Sequence, residues 1–137
     1  MTRDQVFKIV KWLYKHLTKV TIENEEQMPK EGACIITLNH LSRLDFPALI
    51  MLERYNDIYC VAADKYKNYP IFGKFITDAD MIWIDRTKAD FPAMKRCMNV
   101  LKEGKVLSLA PEGTRSKEQA LLQGKEGVVL MASKSRA

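Results

Sequence analysis

The residues best equipped for chemistry fall into two short clusters. Asn39-His40-Leu41-Ser42-Arg43-Leu44-Asp45 places an imidazole five residues ahead of a carboxylate, an interval over which a turn brings Asp45 back to the ring. A carboxylate bonded to one ring nitrogen fixes the tautomer and stabilises the imidazolium, leaving the other nitrogen to take a proton near neutral pH. The pair reads as a general base. No cysteine adjoins His40, and Ser42 is close in sequence only, so the base is expected to act directly on a substrate hydroxyl rather than on a protein nucleophile. Taken alone, the same residues also describe a capped helix start.

The second cluster, Pro111-Glu112-Gly113-Thr114-Arg115-Ser116, puts an acid, a flexible glycine, a guanidinium and two hydroxyls into six residues. Glycine lets backbone amides approach a ligand closely, and Arg115 can hold a phosphate through paired hydrogen bonds. Taken alone, the cluster reads equally well as an ordinary polar turn with a surface ion pair. Arg86 is a third candidate, because it follows the apolar run Met81–Ile84 instead of decorating a helix. Lys65, Lys67 and Lys74 are possible further sources of positive charge.

Elements that alternate along the chain have to position these clusters. Ala33–Leu38, Ile58–Ala63, Met81–Ile84 and Lys105–Leu109 read as buried strands. Between and after them, helical periodicity covers Asp45–Arg54, Ile71–Ile76, Phe91–Glu103 and Lys125–Lys134. The pattern predicts an α/β fold, a mainly parallel or mixed sheet flanked by helices. In such sheets the ligand crevice lies beyond the carboxyl ends of the strands, where all three clusters fall. A further short strand is expected at Val20–Glu23 and a turn at Met28–Gly32.

The N-terminal residues 1–20 read as a basic amphipathic helix, with Phe7, Val10, Leu13, Leu17 and Val20 on one stripe and Lys8, Lys11, Lys15 and Lys19 on another. Such a helix either packs on its own domain or rests on anionic lipid, and Trp12 and Tyr14 suit headgroup depth. Residues 21–137 then make up the α/β domain. A net charge of +5 favours anionic partners, and with no nucleic-acid motif present, phosphorylated substrates and acidic lipid are the favoured ones. Three scattered cysteines suggest neither a disulfide framework nor a metal site and fit a reducing compartment. No run reaches the roughly 20 apolar residues of a membrane span, and no signal-peptide pattern opens the chain.

At these residues the sequence resembles the lysophosphatidic acid acyltransferases, a family of glycerolipid acyltransferases. Asn39, His40 and Asp45 match its first block, and Pro111–Ser116 matches its third without a gap. Pro70-Ile71-Phe72-Gly73 and Ile82–Arg86 match the second more loosely. The resemblance implies that His40 deprotonates the hydroxyl of a lysophospholipid and that Asp45 orients and stabilises His40. Arg86, Glu112, Gly113, Thr114, Arg115 and Ser116 would hold the phosphate-bearing acceptor. Acyl-CoA or acyl-carrier protein would be the co-substrate, phosphatidic acid the product, and no metal or bound cofactor is implied.

Two departures from the family pattern are Ala110, where an aromatic residue is common, and Asp64, where a basic one is common. The family pattern also runs on into a further strand and a proline-containing block, so the resemblance leads us to expect a C-terminally truncated member. The expected setting is peripheral, on the cytoplasmic face of a membrane. A noncatalytic phospholipid- or carrier-binding module, and a hydrolase in which His40 activates water, remain open as alternatives.

Overall fold

Period-two alternation sets the layers of a computed structural model that describes residues 1–116, 118 and 120–137. Its strands are β1 (Cys34–Thr37), β2 (Ile58–Ala63), β3 (Ile82–Ile84) and β4 (Val106–Leu109). They form one wholly parallel sheet in the order β1-β4-β2-β3. Leu107, Leu109 and Ile82, with Ile35 and Val61, face one side. Val106, Ile58 and Cys60, with Cys34 and Ile36, face the other. Successive side chains of a strand point to opposite faces, so each buried strand supplies two separate cores.

Helices α4 (Phe91–Lys102) and α5 (Gly127–Ser135) cover the first face through Ala93, Cys97, Val100, Leu101 and Met131. The second face is covered by α1 (Arg3–Leu17), the short α2 (Asp45–Ala48) and α3 (Pro70–Asp78). α1 begins with a capping box in which Thr2 and Gln5 satisfy each other's backbone amides. Its Val6, Phe7 and Val10 are buried against Ile50 and Ala79. Only the first half of the apolar stripe is used for packing, and Leu13 and Leu17 remain exposed.

Contacts at both ends give α1 its direction. Arg3 donates to the carbonyls of Asn56 and Ile58, both at 2.6 Å, at the entry of β2. At the other end the Tyr14 hydroxyl donates to the Leu44 carbonyl at 2.9 Å, beyond the exit of β1. The N-terminal ammonium pairs with Asp78, the last residue of α3, at 3.0 Å. α1 therefore runs antiparallel to α3, and the end of α1 and the start of α3 lie at the carboxyl edge of the sheet.

Two sequence expectations need correction. Val20–Glu23 forms no strand, because no strand among the described residues pairs with it and both Val20 and Ile22 lie exposed. The helix expected over Asp45–Arg54 stops early: α2 passes into a tight turn at Leu49–Met51, and Leu52 is extended. Beyond that break Arg54 donates to the carbonyls of Pro29 and Gly32, tying the turn that precedes β1 to the one that precedes β2.

Helix α3 approaches the chain before it closely enough to need a glycine. A Cβ on Gly73 would sit 2.6 Å from the Lys67 carbonyl oxygen and 2.7 Å from that of Tyr66. Both obstacles are backbone, so relief requires moving residues 66–67 or the helix. Gly73→Ala is expected to lower stability by about 1–3 kcal/mol, measured by urea unfolding. An unchanged midpoint would show that this contact yields freely.

Candidate functional site

His40 lies just past β1, and its ring Nδ1 is 2.9 Å from Asp45 Oδ2. The same oxygen accepts the backbone N–H groups of Leu41 and Ser42, both at 2.8 Å. One carboxylate oxygen thus closes the whole turn, because Asp45 opens α2 and its side chain folds back over the preceding residues. An ionised carboxylate only accepts, so Nδ1 must carry the ring proton and Nε2 presents a lone pair. The Ser42 hydroxyl is engaged in the turn as well, accepting the Leu44 N–H at 3.1 Å. Phe46 meets the His40 ring edge-on with centroids 5.2 Å apart.

Burial by itself would raise the Asp45 carboxyl. The Ser42 amide, the His40 ring and the Leu41 amide outweigh it and hold the group below the ordinary carboxylate range. Asp57 is also held low, first by its hydrogen bond from Lys105 at 2.6 Å. A carboxyl depressed in the folded state binds its proton more readily when unfolded, so its contribution to stability is complete above the unfolded value of about 3.9. That contribution is lost as pH falls through the lower folded value. Thermal melts are accordingly expected to show a falling midpoint below about pH 4, with a shallower fall in Asp57→Asn. An identical acid limb in that variant would remove Asp57 from the account.

Pro111–Ser116 follows β4, the immediate neighbour of β1. The two loops are joined directly by the Ser116 N–H, which donates to the His40 carbonyl at 2.9 Å. Gly113 takes a φ of +68° and returns its N–H to the Ala110 carbonyl, a turn that only glycine adopts without strain. Glu112 is buried and accepts the Leu122 N–H at 3.3 Å. The Ser116 hydroxyl accepts the Ala120 N–H. These two side chains brace the loop that carries Arg115.

Three cavities meet at His40. A polar one of about 370 Å3 is walled by His40, Lys65, Tyr66, Arg86, Thr114, Arg115 and Ser116. A second, also about 370 Å3, runs between the sheet and helices α4 and α5 past Val61, Met94, Cys97, Leu109 and Met131. A third, about 70 Å3, lies under α3 against Phe46, Phe72 and Phe75. Arg86 borders all three. Burial lowers the Arg86 pKa, and nearby Arg115 lowers it further, although Tyr66 and Asp64 oppose this. Two guanidiniums on one polar cavity concentrate positive charge there, an arrangement chemically suited to an anionic group.

The structure therefore brings His40, Asp45, Arg86, Thr114, Arg115 and Ser116 together. Gly113 lies on the wall of the apolar cavity, and Glu112 is on none of the three walls. Lys65 reaches the polar cavity, whereas Lys74 pairs with Asp78 and Lys67 stands over the Trp83 ring. Tyr66 and Arg43 were not read from the sequence as site residues. Tyr66 follows the carboxyl end of β2, so the rule that picked out the other strand-end loops was the available signal.

The sequence matches the family described as Acyltransferase over residues 19–137. The chain belongs to that family. This acyltransferase-family chain is 37% identical over 108 residues to a 1-acyl-sn-glycerol-3-phosphate acyltransferase of Helicobacter pylori, covering 75% of this chain and 44% of that protein. A Bacillus subtilis protein of the same name is 27% identical over 119 residues, covering 86% of this chain and 58% of its own length. In fold, the chain is similar to the crystal structure of the 1-acyl-sn-glycerophosphate (LPA) acyltransferase PlsC from Thermotoga maritima. That likeness has a TM-score of 0.74 at 23% identity and covers 97% of this chain and 53% of the other. The chain spans about half the length of the curated relatives it matches.

Proposed function

We propose that the site transfers a fatty acyl group from a thioester, acyl-CoA or acyl-carrier protein, to the free hydroxyl of a lysophospholipid, in the first instance 1-acylglycerol-3-phosphate. The observation that carries this reading is the single Asp45 oxygen holding His40 Nδ1 and two backbone amides, which leaves Nε2 as the proton acceptor. His40 Nε2 takes the hydroxyl proton as the oxygen attacks the thioester carbonyl. A C–O bond forms, the tetrahedral intermediate collapses with cleavage of the C–S bond, and the imidazolium returns its proton to the departing thiolate. The products are phosphatidic acid and a thiol.

Each cavity suits one part of this reaction. Arg86 and Arg115 flank the polar cavity, where the acceptor's phosphate would lie. The apolar cavity borders the same imidazole and would receive the acyl chain. The reaction would take place at the cytoplasmic face of a membrane, with the basic helix α1 beside anionic lipid. The test is thiol release from palmitoyl-CoA with and without lysophosphatidic acid. Acceptor-dependent release supports acyl transfer; release without acceptor means thioester hydrolysis, and no release leaves a binding module. Met94→Trp, which fills the apolar cavity, is expected to shift preference toward shorter acyl-CoA chains by roughly tenfold. An unaltered chain-length profile would put the acyl chain elsewhere.

A further inference from the structure

Three contacts already described, Arg3 at the entry of β2, Tyr14 at Leu44 and Met1 at Asp78, place the end of α1 and the start of α3 at the same edge as His40. Large apolar side chains face solvent along that edge. Ile71 is 88% exposed, the highest value among the large hydrophobic residues described, and Leu44 and Tyr69 are more than half exposed. The mouth of a site for a phosphorylated substrate has no evident need of a bare isoleucine. Neither α3 nor its neighbours would gain stability from it.

The turn is also rigid. Pro70 presets the first helical residue, and Gly73 is packed on the carbonyls of Tyr66 and Lys67. The Tyr66 ring meets Phe72 edge-on at 5.6 Å and lies 5.8 Å from Tyr69. Ile71 is therefore held outward on a preorganised support, and inserting it into an apolar phase costs little ordering entropy. The segment before it is basic on balance, with Lys65 and Lys67 against Asp64, while Lys74 is paired with Asp78. Among the described residues Arg43, Lys65 and Lys67 form no ion pair. An apolar tip in a basic collar complements anionic headgroups over hydrocarbon, and a protein partner would have to supply both features.

We propose that the first turn of α3, residues 69–72, is a lipid-inserting wedge that seats the mouth of the His40 site on an anionic bilayer. It is a contact on a different element from α1, whose exposed face carries Trp12 and Leu17 as well as its lysines. Its purpose rests on the acyltransferase reading, since a lysophospholipid must leave the bilayer to reach His40. Phe72, next to the wedge tip, lies on the wall of the cavity beneath it. The same cavity reaches His40 and is walled by Phe46 and Phe75 as well as by Arg43, Arg86 and Arg115.

Vesicles of phosphatidylglycerol and phosphatidylethanolamine provide the test, with phosphatidylcholine as the neutral control. Ile71→Asn is expected to lower partition into the anionic vesicles about tenfold, at low and high salt alike, because the lost contribution is apolar and unscreened. Ile71→Trp in a background with both native tryptophans replaced, Trp12→Phe and Trp83→Phe, is expected to partition like that background, with the introduced indole quenched by lipids brominated on their acyl chains. Equal partition of Ile71→Asn and the parent would overturn the wedge, as would an unquenched indole. So would sedimentation velocity showing a dimer of the parent that Ile71→Asn abolishes, since the turn would then contact a second copy. Partition is measured without substrate, so an inactive parent would sink the acyltransferase reading and leave this result to stand or fall separately. If the parent is active, Ile71→Asn should acylate monomeric lysophosphatidic acid at the parental rate.

Discussion

His40→Ala is expected to lower acceptor-dependent thiol release roughly a thousandfold while leaving the fold and vesicle binding intact. The ring is the one group at the junction of the three cavities that presents an unshared nitrogen, and alanine removes it without disturbing the turn, whose amides still reach Asp45. Asp45→Ala should behave differently. It frees the ring and leaves the Leu41 and Ser42 N–H groups without their acceptor, so a loss of about 1–3 kcal/mol in stability should accompany the loss of rate. Asp45→Asn keeps an acceptor oxygen but removes the charge that favours the imidazolium, and it should lose rate with less loss of stability. Full activity in His40→Ala would exclude general-base catalysis at this position.

Arg86→Met and Arg115→Met are each expected to raise KM for lysophosphatidic acid by roughly 10- to 100-fold, the range for losing one hydrogen-bonded ionic contact. The informative comparison is with monoacylglycerol, which has the same hydroxyl and no phosphate. Its kcat/KM should hardly change in either variant, so the two acceptors converge. The double variant should lose less than the sum of the single losses, because both guanidiniums would grip one phosphate and their repulsion is relieved when either is removed. Equal losses for both acceptors would mean that the arginines support the loops rather than the phosphate.

Vesicle binding would separate the charged and apolar contributions to the proposed membrane contact. α1 keeps Lys8 and Lys15 exposed while burying Val6, Phe7 and Val10, so one helix is both part of the core and a basic surface. The stripe read from periodicity ran to Val20, but full burial ends at Val10; Tyr14 still packs partly on the domain, and Leu13, Leu17 and Val20 are exposed. Periodicity identifies an apolar face; it does not say how much of that face meets protein.

The difference between local and distant information runs through the whole site. The His40–Asp45 pair was legible because both residues belong to one turn, and five residues of backbone suffice to return the carboxylate to the ring. The alternation of strands and helices was legible for the same reason, as periods of two and 3.6 are written into short windows. Glu112 was read with its neighbours as a substrate contact, whereas the structure buries it against the Leu122 amide, and nothing within the six-residue cluster marks that its one acid faces inward. Tyr66 went unread because its importance comes from Arg86 and Phe72, not from its own neighbours in sequence.

What the sequence by itself determined is the local arrangement: an imidazole with its orienting carboxylate, and a glycine turn presenting a guanidinium. What only the tertiary structure decided is that these lie at one place. The order β1-β4-β2-β3 makes the His40 and Arg115 loops immediate neighbours, joined through the Ser116 amide, and brings Arg86 to them from the far edge strand. Strand order depends on which buried faces pack together across the whole chain, a long-range energy that no short window contains.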